Sequence, residues 1–119
     1  MSERPMTNGD ARNVRAVADR LRLTRLAMGY KVQAAWARVV GISPAAWNNY
    51  EQGLRLINVP DAGKVASVTG VTLDWIYHGS RRGLPSEFLQ RLVEIERAET
   101  AAAGEPLDRG KARNPSKSG

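Results

Sequence analysis

An all-α fold class is what this sequence predicts, and three observations predict it. Apolar residues recur at helical spacing in several segments, with Arg, Ala and Leu common among them. Strand-like alternation of Val, Ile and Thr is scarce. Glycines and helix-capping residues divide the chain into short segments. The chain has 119 residues, of which 42% are hydrophobic. That is room for one domain with a modest core and tails. The expected organisation is a compact five-helix domain over residues 11–82 and a C-terminal helix over 83–103. Disordered tails are expected at 1–10 and 104–119.

The first helix is predicted from Ala11 to Met28, with Val14, Val17, Ala18, Leu21, Ala27 and Met28 as its apolar stripe and Gly29 as its cap. Gln33–Val40 reads as a second helix with Trp36, Ala37 and Val40 facing inward, ended by Gly41. The third is the most explicit. Ser43 is an N-cap, because its hydroxyl can accept from a free first-turn N–H. Pro44 falls at the first helical position, where no N–H is needed. Ile42 and Trp47 hold the two positions of a hydrophobic staple. Gly53 closes the helix. Burial of Ala46, Trp47 and Tyr50 then leaves Pro44, Ala45, Asn48, Asn49 and Gln52 outward. Two short helices joined by one tight turn outline a helix-turn-helix.

Asn58 is expected to cap a fourth helix over Val59–Thr69, with Asp61 at its third position and Gly70 as its stop. Gly63 within it costs roughly 1 kcal/mol against alanine. A short fifth helix covers Leu73–Tyr77, with Leu73, Trp75 and Ile76 closing the core. Pro85–Ala103 follows a Gly- and Arg-rich linker. It carries Phe88, Leu89, Leu92, Val93 and Ile95 on one stripe and glutamates opposite.

The formal charge of +6 is unevenly placed. Residues 11–55 hold eight basic groups (Arg12, Arg15, Arg20, Arg22, Arg25, Lys31, Arg38 and Arg55) against Asp19 and Glu51. Residues 83–108 are net acidic, and 109–119 add Arg109, Lys111, Arg113 and Lys117. A polyanion partner follows from this, since cations on phosphates release counterions. A merely solubilising surface accounts for the charge equally well. The chain has no cysteine, which removes disulfides, thiolate metal sites and cysteine nucleophiles. Met1–Asp10 is polar and lacks a secretory core. No apolar run approaches the ~20 residues of a membrane span. A cytoplasmic, nucleoid-associated protein is expected.

Gln33-Ala-Ala-Trp-Ala37-Arg-Val-Val-Gly41-Ile-Ser43 resembles the second helix, turn and third-helix start of Cro/C1-type (XRE-family) helix-turn-helix regulators. Asn49-Tyr50-Glu51-Gln52-Gly53 is similar to the end of their recognition helix. Thr72–Gly79 resembles the closing helix in a subset of them. The likeness spans about residues 18–85. It implies a lambda-repressor-like five-helix domain in a sequence-specific, double-stranded DNA-binding bacterial transcriptional regulator. Repression is the commonest outcome for such a domain. Helix 3, Ser43–Gln52, would enter the major groove. The resemblance puts Gln33 on a phosphate, Pro44, Ala45, Asn48 and Asn49 towards bases, and Arg55 on a phosphate after the helix. Arg38, Ser43 and Gln52 complete the candidate DNA-binding set.

Some positions depart from the pattern. Pro44 and Ala45 stand where many members have longer polar side chains, which limits base reading there to apolar contact. Leu54-Arg55-Leu56-Ile57 is less basic than the usual loop. Tyr30-Lys31-Val32 is one residue longer than the usual turn, and Gly63 replaces an apolar residue. Specificity is therefore expected to lean on Asn49, Asn48 and DNA shape.

Blander roles stand beside these. Gln33 could simply cap helix 2, Asn49 could be a solvated amide, and Arg38 could be exposed without contacting anything. Trp36, Trp47 and Trp75 read as core residues. Asp74 reads as a cap or dipole partner. His78, the only histidine, has no second ligand at metal-binding spacing. No catalytic triad, phosphate loop or carboxylate pair is present, so an enzyme is not expected. Neither a cofactor nor a small-molecule ligand is expected. Double-stranded DNA is the expected partner, bound by a homodimer or with a second regulator, because palindromic half-sites suit two-fold proteins. The C-terminal helix is read as a dimerisation element, with packing on its own domain as the alternative. The basic tail either adds nonspecific DNA affinity or is a plain end. A protein-interaction module, such as an antitoxin or adaptor reusing the fold, is the competing function.

Overall fold

Residue 8 is the first and residue 104 the last that the computed structural model describes. They form six helices: α1 (Asn8–Ala27), α2 (Gln33–Val40), α3 (Pro44–Glu51), α4 (Val59–Thr69), α5 (Leu73–His78) and α6 (Ser86–Ala102). No strand occurs among the described residues. The all-α expectation holds, with each helix within a few residues of its predicted span. One boundary is corrected. Asn8–Asp10, expected in the N-terminal tail, form the first turn of α1. The rest of that tail, residues 1–7, and the basic tail at 105–119 lie outside the described residues.

Two N-caps form as the sequence implies, and a third is added. Ser43 Oγ accepts from Ala46 N at 3.1 Å. Asn58 Oδ1 accepts from Asp61 N at 2.8 Å. Thr72 Oγ1 accepts from Trp75 N at 2.9 Å. Thr72, not Asp74, is thus the cap of α5. Gly41, at φ 79°, takes the left-handed turn that ends α2.

Helix α1 is the axis of the packing. It lies against α3, α5 and α6, while α2 packs on α3 and α4, and α4 on α5. Trp36, Trp47 and Trp75 are all buried in one core with Leu21, Tyr50, Ile57, Ile76 and Leu92. Trp36 meets Trp47 edge-on at 6.1 Å and Tyr30 at 5.2 Å. Trp75 donates its Nε1–H to Thr24 Oγ1 at 2.9 Å. Leu73, expected in the core, is 40% exposed. Trp75 and Ile76 define the inward side of α5, and at about 100° per residue Leu73 falls more than a quarter-turn from its centre.

Helix α6 packs along α1 within the same chain. Phe88 and Leu92 from its stripe are buried in the core, and Phe88 meets Trp75 edge-on at 6.1 Å. Farther along α6, ion pairs hold it to the domain, Arg22 to Glu99 at 2.5 Å and Arg81 to Glu96 at 2.6 Å. The Arg22 guanidinium holds the Glu99 carboxyl below its ordinary range. Of the stripe, Leu89 and Ile95 are partly buried and Val93 is exposed.

Candidate nucleic-acid interface

The turn between α2 and α3 is three residues long, Gly41–Ser43. Gly41 and Ile42 both donate to Ala37 O at 2.9 Å, and Gly41 also to Arg38 O at 3.3 Å, which closes the last turn of α2. Lys64, on α4, donates to Gly41 O at 3.1 Å and so ties the turn to the domain. Ile42 and Trp47 are both buried, as a staple across the start of α3 requires.

The far end of α3 is held by a polar network that the sequence does not announce. The Arg25 and Glu51 side chains, 8% and 3% exposed, form a two-pronged ion pair. Arg25 Nε and Nη2 donate to the two Glu51 oxygens at 2.7 and 3.0 Å. Arg25 Nη1 donates to the carbonyls of Tyr30 and Lys31, each at 2.9 Å. Trp47 Nε1 donates to Glu51 Oε2. Gln33 Nε2 donates to Glu51 Oε1 at 2.9 Å. One carboxylate therefore links α1, the α1–α2 turn, the first residue of α2 and the core side of α3. Gln33 does not cap α2, whose N-cap is Val32 with no side-chain bond. The second Nε2 hydrogen of Gln33 remains available.

Beyond α3, Tyr50 and Ile57 pin the following loop. The Tyr50 hydroxyl donates to Asp61 Oδ2 at 2.6 Å and accepts from Asn58 Nδ2 at 3.3 Å. Burial and the Asp61 bond push this phenol above its ordinary pKa. Tyr77 donates to Ile57 O at 2.8 Å. Arg55 sits over the Tyr50 ring, 6.0 Å from its centroid, and remains exposed.

The outward set on α3 lies where periodicity places it. Ser43, Pro44, Ala45, Asn48 and Gln52 are exposed and Asn49 partly so. Arg38 is exposed on α2. The charge picture is changed. Arg15, Arg20, Arg22 and Arg25 do not stand free as a common positive field. Arg20 donates to Ile76 O and Tyr77 O, each at 3.1 Å, and burial lowers its pKa. Arg22 binds Asp19 and Glu99. Arg15 donates to Gln52 O while remaining exposed. These groups satisfy helix-end carbonyls and carboxylates instead. Lys31, Arg38 and Arg55 are exposed with no carboxylate in ion-pair reach among the described residues.

The result is one acid-free face. Between Met28 and Pro60 the sequence has a single carboxylate, Glu51, and the structure buries it against Arg25. The solvent side of α2, α3 and their flanking turns therefore presents amides, apolar side chains that include Val32, Val39, Leu54 and Leu56, and three cations, with no exposed negative side chain. Such a face can approach a polyanion without repulsion, and its amides can form paired hydrogen bonds to base edges.

Sequence reading missed Lys64, Arg15 and the Arg25–Glu51 pair. The pair is 26 residues apart, so no local spacing marks it. Among the described residues no three His, Asp or Glu side chains converge as metal ligands. No helix there is long and apolar enough to cross a membrane. Compared with known protein families, curated proteins and solved structures, the chain has no match in any of the three.

Proposed function

We propose that the protein is a sequence-specific double-stranded DNA-binding transcriptional regulator of the Cro/C1 type, a cytoplasmic repressor in its commonest form. Its helices would follow the lambda-repressor-like arrangement, with α3 in the major groove. The observation that carries this reading is the acid-free face around α2 and α3, where Glu51 is internal and Lys31, Arg38 and Arg55 are exposed. Asn48 and Asn49 supply base-edge contacts, and Gln52 adds a third amide. Pro44 and Ala45 offer only apolar contact, such as with a thymine methyl. Gln33, Arg38 and Arg55 grip phosphates. Two copies would read a two-fold operator.

Selection of bound sequences from a random duplex pool, followed by titration over a salt series, tests the reading. The expected result is a recovered consensus and an affinity that falls steeply with salt. Asn49→Ala is expected to lose ~1–3 kcal/mol of discrimination between the consensus and a mismatched site. Arg38→Ala is expected to weaken all duplexes alike and to reduce the salt slope by about 1. If site preference survives Asn49→Ala unchanged, α3 is not the reading helix.

A protein-interaction module is the second reading, and a specific observation favours it. Val32, Val39, Leu54, Leu56 and Val59, between 44% and 72% exposed, lie at the start of α2 and on it, in the α3–α4 loop and at the first residue of α4. Binding that shows no consensus and vanishes near physiological salt would support that alternative.

A further inference from the structure

We propose that Arg15, from α1, is a further phosphate-gripping residue of this face; the inference rests on the DNA-binding reading above. Its Nη2 donates to Gln52 O at 2.9 Å, so the guanidinium lies at the C-terminal end of α3. Gly53 lies directly beside it. A Cβ built on that glycine would stand 3.1 Å from Arg15 Cζ and Nη2. Gly53 is also at φ 74°, a conformation few other residues adopt. The glycine therefore turns the chain out of α3 and leaves the guanidinium uncrowded on that side.

The electrostatics give this placement a consequence. The C-terminal end of a helix carries partial negative charge on its free carbonyls. A phosphate brought to that end of α3 would meet oxygen against oxygen. Arg15 reverses the local sign. A guanidinium has five N–H donors, and among the described residues one is engaged, by Gln52 O. The side chain is exposed, so the remaining donors are accessible.

The other described arginines of α1 are disposed differently. Arg20 is part-buried on α5 carbonyls, Arg22 is paired with Asp19 and Glu99, and Arg25 is buried on Glu51. Arg15 alone among these is exposed and has no carboxylate partner among the described residues. Arg55, three residues beyond Gln52, is the exposed cation of the same end of α3. Together they would clamp one stretch of phosphates from two elements, α1 and the α3–α4 loop. Recognition of phosphate by a planar, multi-donor cation suits arginine more than lysine.

Titration of a mixed-sequence duplex over a salt series tests this with Arg15→Gln, Arg15→Lys and the unaltered chain. Glutamine keeps a polar amide at the position and removes the charge. The expected result is a salt slope smaller by about 0.9 for Arg15→Gln and retained for Arg15→Lys. Preference among duplex sequences stays the same in both. Thermal unfolding followed by circular dichroism reads the capping role separately. An unchanged slope in Arg15→Gln, with or without a lower midpoint, overturns the proposal and leaves DNA binding by the unaltered chain intact. Failure of the unaltered chain to bind any duplex overturns both readings at once.

Discussion

Glu51→Ala is expected to destabilise the domain by about 3–5 kcal/mol, the cost of removing one member of a buried ion pair. Three donors lose their acceptor together: the Arg25 guanidinium, Trp47 Nε1 and Gln33 Nε2. The Arg25 charge would then lie internally without a counter-charge, which is the costly half of the change. Domains of this size have a total stability of about 5–15 kcal/mol, so the variant stands near its unfolding limit. Glu51→Gln should be milder in geometry, since an amide oxygen can still accept from Trp47, yet it too leaves Arg25 unneutralised. Replacing both partners, Arg25→Met with Glu51→Leu, is expected to recover much of the loss, because desolvation of the two charges is removed along with their attraction. Urea unfolding of the four proteins measures this. A loss below ~1 kcal/mol in Glu51→Ala would mean that water replaces the carboxylate and that the network does not hold α3.

Phe88→Ala is the second large effect. Phe88 is 3% exposed and lies edge-on to Trp75. Truncating a buried phenylalanine costs about 3–5 kcal/mol, from lost transfer energy and from the cavity left behind. The loss should be the same at every protein concentration, because the contact is made within one chain. A midpoint that rises with protein concentration in the unaltered chain, and loses that dependence in Phe88→Ala, would assign the residue to an interface between copies instead. Val93→Ala provides the contrast. Val93 is exposed on α6, and its loss should move the midpoint little unless a second copy covers it.

Local chemistry carried most of the fold. Ser43, Pro44, Asn58 and Gly41 specify helix ends through side-chain acceptors, a fixed φ and freedom at positive φ, all properties of neighbouring residues. Helical periodicity found the inward Trp36, Trp47 and Tyr50 and, by difference, the outward Asn48, Asn49 and Gln52. It misjudged Leu73, whose helix is barely longer than one turn, so its inward direction depends on what α5 meets. It also left two readings for α6, because an apolar stripe shows that a partner exists without saying which.

The distribution of charge was the part least legible in the sequence. Counting cations in residues 11–55 suggested a broad positive field. Folding engages Arg20, Arg22 and Arg25 with carbonyls and carboxylates, and leaves Arg15, Lys31, Arg38 and Arg55 exposed. Whether a cation is structural or available depends on which helix end or carboxylate comes within about 3 Å of it, and charge-assisted hydrogen bonds have no reach beyond that.

By itself, then, the sequence determined the helices, their caps and the amide-bearing face of α3, because those depend on residues within a turn or two of one another. Tertiary structure alone decided that Glu51 turns inward to Arg25, that α6 lies on α1, and that an acid-free surface surrounds α3. The physical reason is separation along the chain. Each of those outcomes joins side chains from different helices, 26 residues apart for Arg25 and Glu51 and 77 apart for Arg22 and Glu99. No local preference acts over such distances.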